Sequence, residues 1–404
     1  MAELNAQEKI SLITQGLQEV LKENIIADVL IKENRPLKIY WGTAPTGRPH
    51  CGYFVPMVKI AHFLQAGCEV KVLLADIHAF LDNMKAPLDL VAHRAKYYEL
   101  IIKAVLRAIG VSIDKLTFVK GSDYQLSPQY TMDLFRLSSL VSEHDARKAG
   151  AEVVKQVQSP LLSGLIYPLM QALDEEHLGV DAQFGGVDQR KIFTLAAENL
   201  TKVGFKQRAH LMNPMVPGLA GGKMSASDPN SKIDLLDGPE IVKTKVKKAL
   251  CNPGVVEGNG VLSFVEYVLL PISALAGEQT FHVPRPEKYG GPVDFKDIEE
   301  LKKAYAAGEL SPPDLKSGVT AALNKLLAPV QEEFKSSKEF QEIEKLAYPP
   351  EVKVKKVKKD GQKGGTQHPN KGSQNKGTKG QDVQEVDPKD DIATSATAMD
   401  NLTV

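Results

Sequence analysis

The sequence predicts an α/β fold: a doubly wound parallel sheet of Rossmann-like type with a helical insertion, then a mainly α-helical C-terminal domain and a disordered tail. Three observations predict it. Short apolar runs alternate with amphipathic segments of helical length up to about residue 120, a pattern typical of parallel strands joined by helices. Apolar residues follow helical spacing through most of residues 231–348. Beyond residue 348 there is no Phe, Trp or Tyr, so the remaining chain cannot form a core.

The composition excludes several classes of protein. Fifty basic and fifty acidic residues cancel, so the net charge indicates neither a nucleic-acid nor a membrane partner. Three cysteines without metal-ligand spacing predict a reducing compartment, no disulfide framework and no structural metal. No secretory signal is visible, and no apolar run approaches the roughly 20 residues that a membrane span needs. We therefore expect a soluble, cytoplasmic protein with no membrane contact.

The pattern divides the chain into four parts. They are an N-terminal helical segment over 1–33, a Rossmann-like domain over 34–230 with a helical insertion at 127–174, a helical domain over 231–348, and a tail over 349–404 that is rich in Lys and then acidic. Strands are predicted at 37–41, 70–75, 116–119, 180–184 and near 210. Helices are predicted at 53–66, 88–109, 239–250, 261–275, 295–306 and 312–340. The centre of the helical domain, 281–294, shows no clear pattern.

A glycine-containing turn follows the first strand of the sheet. It runs from Gly42 through Thr43 to His50 and Gly52, and a helix begins at about Tyr53. Strand, turn and helix in this order present backbone N–H groups and a positive helix end to phosphate. No Walker-type or dehydrogenase-type glycine motif is present, so the usual nucleotide-binding patterns do not apply.

A polar line crosses an otherwise apolar helix predicted from Ser159 to Asp174. Tyr167, Gln171 and Asp174 lie at i, i+4 and i+7 and therefore share one face, while Pro168 should kink or restart the helix. Buried polar groups need partners. Either an internal hydrogen-bond network or a solvated face supplies them, or the line borders a cavity that a small polar ligand completes.

These features together resemble the class I aminoacyl-tRNA synthetases. Pro49-His50-Cys51-Gly52 lies where that family has its HIGH signature, and the loop from Lys223 to Ser227 lies where it has KMSKS. With Tyr40, the polar line and Gly185-Gly186-Val187-Asp188-Gln189, residues 8–348 resemble tyrosyl-tRNA synthetases of the eukaryotic cytosolic type. Two positions depart from the signatures, Tyr53 for the second His and Ala226 for the second Lys. What replaces that lysine stays open.

The resemblance implies roles for individual residues. Tyr40 and Asp174 would hold the phenolic hydroxyl of L-tyrosine, and its amino acid end would contact Tyr167, Gln171 and Gln189. The residues implied for ATP, which would enter with Mg²⁺ as a substrate, are Gly42, Thr43, His50, Gly52, Gly186, Asp188, Lys223, Met224 and Ser225. Of these, His50, Lys223 and Ser225 would be catalytic.

The implied activity is the ATP-dependent ligation of tyrosine to tRNA(Tyr) by a homodimer joined through residues 127–174. In the helical domain, Tyr289, Asp294 and Lys316 would contact tRNA. Two alternatives remain: a tryptophan-specific relative, and an RNA-binding relative without catalysis. His78, near the end of the second strand, is interpreted as a structural histidine with satisfied hydrogen bonds.

Overall fold

A computed structural model gives the structure of residues 4–82, 88–154, 161–218 and 232–350. Within them, six strands form one sheet in the order β1-β6-β5-β2-β3-β4, with β1 antiparallel to β6 and the other neighbours parallel. The strands are β1 Glu19–Leu21, β2 Lys38–Thr43, β3 Glu69–Leu74, β4 Leu116–Lys120, β5 Ala182–Gly186 and β6 Ala209–Asn213. The predicted strands of a parallel sheet are therefore confirmed.

The direction of chain progression through the sheet reverses between β2 and β5. From β2 the chain moves outward to β3 and β4, and it then returns to the other side of β2 to form β5 and β6. Ligands of open α/β sheets bind outside the carboxyl ends of the strands at such a reversal. The carboxyl ends of β2 and β5 are Gly42-Thr43 and Gly185-Gly186.

Helices join the strands and form the insertion. They are α1 Ala6–Thr14, α2 Glu23–Ala27, α3 Phe54–Gln65, α4 Asp76–Leu81, α5 Leu88–Ala108, α6 Pro128–Ser138, α7 Glu143–Gly150, α8 Leu162–His177 and α9 Arg190–Asn199. The remaining elements are α10 Pro239–Lys248, α11 Gly260–Phe264, α12 Leu270–Leu275, the hairpin β7 Phe281–Val283 and β8 Val293–Phe295, α13 Ile298–Ala306, α14 Pro312–Ser336 and α15 Lys338–Ala347. The predicted helical insertion and helical C-terminal part are confirmed.

Side-chain alternation along β2 separates the two faces of the sheet. Ile39 and Trp41 belong to the main core, which continues through α3 and α5 to the buried face of α14. Tyr40 points to the opposite face and packs with Leu73 and Val180. That face is covered in part by the insertion, whose own core joins α6, α7, α8 and α9.

Several sequence-based predictions of individual elements are wrong. Val20 and Leu21, predicted as helical, lie in β1, where they pair with β6. The helix predicted over 312–340 is two helices that break at Ser337, whose side chain caps α15. Phe295, predicted as the start of a helix, lies in β8, and residues 281–294, for which no element was predicted, form the rest of the β7–β8 hairpin. The restart predicted at Pro168 does not occur, because α8 continues through this residue, and the predicted start at Ser159 lies outside the described residues.

Candidate active site

His50 stands where the loop after β2 turns into the short helical turn that precedes α3. Its Nδ1 accepts a hydrogen bond from the Gly52 N–H at 3.2 Å. Burial and the nearby Lys232 lower the pKa of His50 to about 4, so the ring is neutral at pH 7. A neutral ring that accepts at Nδ1 carries its proton on Nε2 and can donate it to an anionic ligand.

The same loop is fastened to distant parts of the chain. The Gly47 carbonyl accepts hydrogen bonds from the hydroxyls of Tyr98 at 2.6 Å and Tyr348 at 2.8 Å. The Cys51 N–H donates to the Ile233 carbonyl at 2.8 Å. Hydrogen bonds at Gly47 and Cys51 hold the loop, so its backbone groups have one fixed geometry. Such preorganised groups are what the electrostatic stabilisation of a charged ligand requires.

The polar line on α8 faces Tyr40 of β2. The Tyr40 hydroxyl donates to the Gln171 carbonyl at 3.1 Å, and Gln171 Nε2 donates to Gln189 Oε1 at 3.0 Å. Asp174 is fully buried, and Tyr167 is 8% exposed. The interpretation as a solvated face is therefore wrong.

The internal-network interpretation holds for only one oxygen of Asp174. Its Oδ1 accepts from the Tyr124 hydroxyl, Gln125 Nε2 and the Tyr130 hydroxyl at 2.7, 2.8 and 3.0 Å. Its Oδ2 is buried and has no hydrogen-bond partner among the described residues. An acceptor left in that state is costly, so the site calls for a donor beyond those that residues 4–82, 88–154, 161–218 and 232–350 supply.

A cavity of about 490 Å³ brings these groups together at the carboxyl end of the sheet. That size is within the range of small-molecule sites. The residues predicted to bind tyrosine all border it: Tyr40, Tyr167, Gln171, Asp174 and Gln189. Of the residues predicted to bind ATP, it is bordered by Gly42, Thr43, Gly186 and Asp188.

A second cavity of about 270 Å³ adjoins the first. It is bordered by His50 and Gly52 and shares Gly186 and Asp188 with the larger cavity. A Cβ at Gly186 would lie 2.4 Å from Asp188 Oδ1, so any other residue there would displace the Asp188 carboxylate. The two cavities therefore meet at the carboxyl end of β5, where an elongated ligand could occupy both.

Sequence reasoning missed Tyr124, Gln125 and Tyr130, and it misjudged His78. His78 is buried and borders the larger cavity, and its Nε2 has no hydrogen-bond partner in the described part of the chain. The prediction of a satisfied histidine is therefore wrong for Nε2, whereas Nδ1 lies 3.5 Å from Gln125 Nε2. Burial lowers the pKa of His78 to about 4. A usable signal existed for His78 and Tyr124, since they follow the carboxyl ends of β3 and β4, at the edge of the sheet where Gly42 and Thr43 end β2.

The remaining predicted residues lie elsewhere. Lys223, Met224 and Ser225 are outside the described residues. Tyr289, Asp294 and Lys316 belong to the helical part and border neither cavity. No group of three or more His, Cys, Asp or Glu within residues 4–82, 88–154, 161–218 and 232–350 is arranged to hold a metal ion. None of the helices described in these ranges is long and apolar enough to cross a membrane.

The chain belongs to the family described as class I tRNA synthetases (W and Y), whose model matches residues 32–328. It is 64% identical over 374 residues to the cytoplasmic tyrosine--tRNA ligase of Saccharomyces cerevisiae, covering 91% of this chain and 95% of that protein. It is 59% identical over 353 residues to the cytoplasmic tyrosine--tRNA ligase of Danio rerio, covering 87% of this chain and 65% of that protein. Its fold is similar to the crystal structure of the Archaeoglobus fulgidus tyrosyl-tRNA synthetase complexed with L-tyrosine, with a TM-score of 0.74, 39% identity, and coverage of 81% and 99% of the two chains.

Proposed function

We propose that the chain is a cytoplasmic tyrosine--tRNA ligase that activates L-tyrosine with ATP and transfers it to the terminal adenosine of tRNA(Tyr). One observation carries the choice of amino acid: the unpartnered Oδ2 of buried Asp174 borders the same cavity as the buried hydroxyl of Tyr40. A phenol can donate to the carboxylate and at once accept from the Tyr40 hydroxyl, which then turns its one proton from the Gln171 carbonyl to the ligand. The indole N–H of tryptophan only donates, so it could not use the Tyr40 hydroxyl as a donor.

The chemistry of the first step follows from the groups that border the two cavities. The carboxylate of tyrosine is already ionised at neutral pH and needs no general base. It attacks the α-phosphorus of ATP, the bond between the α-phosphorus and its bridging oxygen breaks, and pyrophosphate leaves. Nε2–H of His50 donates to the phosphates, and Asp188 accepts from the ribose hydroxyls. Catalysis is therefore positioning and charge stabilisation.

ATP enters with Mg²⁺, which screens the leaving phosphates as part of the substrate. Lys223 and Ser225, which lie outside the described residues, would contact the same pyrophosphate, as the family resemblance implies. In the second step a ribose hydroxyl of the tRNA attacks the carbonyl carbon of tyrosyl-adenylate, and AMP leaves.

The proposal is tested by ATP–pyrophosphate exchange with tyrosine, tryptophan and phenylalanine. We expect exchange with tyrosine, and a loss of tyrosine affinity in Asp174→Asn with the KM for ATP unchanged. Exchange with tryptophan alone would select the tryptophan-specific alternative. No exchange with any amino acid, together with retained tRNA binding, would select the RNA-binding alternative.

We further infer a homodimer joined through the insertion. Apolar side chains of this segment are exposed in the monomer, with Phe135 at 62% and Leu162 at 76%. Met132 and Phe135 are three residues apart and share one face of α6. A second copy with the same face would bury them isologously. Sedimentation should give a dimer for the wild type and a monomer for Phe135→Asp; a wild-type monomer at micromolar concentration would overturn the inference.

Transfer RNA is proposed to contact the helical part. The Tyr289 ring is 61% exposed and can stack on an unpaired base. Asp294 lies on β8, where it pairs with His282, and Lys316 can contact backbone phosphate. Tyr289→Ala should raise the KM for tRNA and leave the pyrophosphate exchange unchanged. An equal loss in both reactions would contradict this assignment.

A further inference from the structure

Three donors from outside α8 converge on a single oxygen of Asp174. The hydroxyls of Tyr124 and Tyr130 and the amide nitrogen of Gln125 all lie within 3.0 Å of Oδ1. The Tyr130 hydroxyl also lies 2.9 Å from the Met170 carbonyl, so these two acceptors share its one proton. Tyr124 and Gln125 lie in the connection between β4 and α6, and Tyr130 lies on α6. All three are about fifty residues before Asp174 in the chain. We call these three residues the Oδ1 clamp.

We propose that the Oδ1 clamp positions Asp174 for substrate selection, by saturating Oδ1 so that only Oδ2 is free to accept the phenolic hydroxyl of tyrosine. The proposal rests on the tyrosine specificity proposed above. The clamp residues are positioning residues rather than catalytic ones, because their polar atoms act on Asp174. Their effect on tyrosine passes through the geometry and the charge of that carboxylate.

The clamp opposes the cost of burying the carboxylate. Complete burial raises the pKa of Asp174, and hydrogen bonds from the three clamp residues lower it, with a result of about 7. Without them, the carboxyl group would be protonated at neutral pH. It would then no longer present a charged acceptor to the substrate.

The other titratable groups around Asp174 do not replace the clamp. They are the hydroxyls of Tyr40 and Tyr167, the carboxylate of Glu175 and the ring of His78. Glu175 raises the pKa of Asp174 further because it carries a like charge. His78 Nε2 is 3.9 Å from Asp174 Oδ2, beyond hydrogen-bond distance, and burial keeps the ring neutral.

The clamp is held rigidly by aromatic packing. The rings of Tyr124 and Tyr130 meet edge to face with centroids 5.7 Å apart, and the ring of His177 lies 4.6 Å from that of Tyr130. His177 in turn has its Nε2 3.2 Å from Asp133 Oδ2 on α6. The positions of both hydroxyls are therefore fixed before the substrate binds. The side chains of Tyr124 and Tyr130 lose little further conformational entropy when they hold the Asp174 carboxylate for the substrate.

Selectivity against phenylalanine depends on the same charge. A phenyl ring leaves Oδ2 unpaired, and an ionised acceptor in that state is far more costly than a neutral carboxyl group. Loss of a clamp donor should therefore weaken tyrosine binding near neutral pH and admit phenylalanine more readily.

Tyr124→Phe tests the proposal, because it removes one donor and keeps the ring. Pyrophosphate exchange is measured from pH 6 to 9 with tyrosine and with phenylalanine. We expect the apparent pKa in kcat/KM for tyrosine to rise by about one unit, which lowers kcat/KM about tenfold at the acid end and little at pH 9. The KM for ATP should not change, and the preference for tyrosine over phenylalanine should fall severalfold.

Tyr305→Phe is the matched control. Its hydroxyl is likewise a hydrogen-bond donor, to the Asn252 carbonyl at 2.8 Å, but Tyr305 lies on α13 in the helical part. Its pH profile should match the wild type. A profile in Tyr124→Phe that is lowered equally at every pH, or not at all, would overturn the proposal.

A second measurement separates this proposal from the proposed function. The Asp174 carboxyl is titrated by ¹³C NMR in the ligand-free protein, with Asp174→Asn to assign its signal. A higher pKa in Tyr124→Phe supports the clamp, and an unchanged pKa overturns it, whichever amino acid the enzyme activates. Tyr130→Phe provides the same test if Tyr124→Phe does not fold. Absence of tyrosine exchange in the wild type would overturn only the proposed function.

Discussion

Glu175 and His210 form a buried pair next to the candidate site. Glu175 Oε1 and His210 Nε2 are 2.7 Å apart, and both residues are at most 1% exposed. Glu175 is adjacent in sequence to Asp174, and His210 lies on β6 with its ring stacked on Phe193. The carboxylate of Glu175 raises the pKa values of Asp174 and Tyr40. It therefore joins α8 to the sheet and also influences the charge of the site.

Glu175→Gln should move the pH dependence of tyrosine activation toward lower pH. Glutamine has no negative charge, so the pKa of Asp174 falls and the carboxylate stays ionised in more acidic solution. The amide can still hydrogen-bond His210, whereas Glu175→Ala would leave the buried ring unpaired at a cost of about 1–3 kcal/mol. Exchange assays from pH 5.5 to 8 and urea unfolding of both variants check this. A profile that moves upward in Glu175→Gln would contradict it.

Lys232 should contribute to the phosphate site. It lies beside His50 closely enough to lower the pKa of that ring, and Asp234 pairs with the His50 backbone in an isolated bridge. A cation at this place can help neutralise the pyrophosphate where the signature lysine is replaced by Ala226. We expect Lys232→Gln to reduce pyrophosphate exchange about tenfold, corresponding to about 1.4 kcal/mol, with little change in the KM for tyrosine.

The control for this prediction is Lys243→Gln, which removes an exposed lysine from α10. It should leave the exchange rate unchanged. Equal losses in the two variants would indicate a general effect of charge and would contradict the local role of Lys232.

Tyr348 should stabilise the chain mainly through packing. Its ring contacts Tyr97 edge to face at 5.2 Å, and the guanidinium of Arg48 lies 4.5 Å from its centroid. Its hydroxyl shares the Gly47 carbonyl with Tyr98, which remains as a donor if the Tyr348 hydroxyl is lost. Tyr348→Phe should therefore cost about 0.5–1 kcal/mol and Tyr348→Ala about 3 kcal/mol in urea unfolding. Equal costs would show that the hydroxyl dominates.

The parts of the site that the sequence predicts are those set by local periodicity. The spacing of Tyr167, Gln171 and Asp174 fixes a common helix face, and the alternation in β2 sends Tyr40 to one side of the sheet. Neither statement needs knowledge of the tertiary structure. Both could therefore be made from a single stretch of chain.

The parts that it does not predict depend on pairing between distant segments. β1 has only three residues, too few for an alternating pattern, and it is a strand because the edge of β6 offers unpaired backbone groups. Tyr124 and Gln125 meet Asp174 only once α6 has packed on α8. Local spacing contains no information about such contacts.

Arg35 and Asp181 join the starts of β2 and β5, and this pair should make the fold sensitive to acid. Arg35 donates to both carboxylate oxygens at 2.7 and 2.8 Å, and the Lys38 N–H donates to Asp181 Oδ2 at 2.9 Å. These bonds lower the pKa of Asp181 below its usual value. A lowered pKa in the folded state stabilises the protein above the pKa of the unfolded chain, and the contribution is lost as the pH falls through the folded-state value.

Arg35→Lys keeps the charge but cannot form the two parallel bonds. It should cost about 1 kcal/mol at pH 7, and the difference from the wild type should shrink below pH 4 as Asp181 is protonated. Urea unfolding of Arg35→Lys and the wild type at pH 7, 4 and 3 measures this difference in stability. The matched control is Arg190→Lys, which breaks the similar but more exposed pair with Glu19 and should change stability less. A difference between Arg35→Lys and the wild type that persists unchanged at pH 3 would mean that Arg35 acts through packing rather than through the carboxylate.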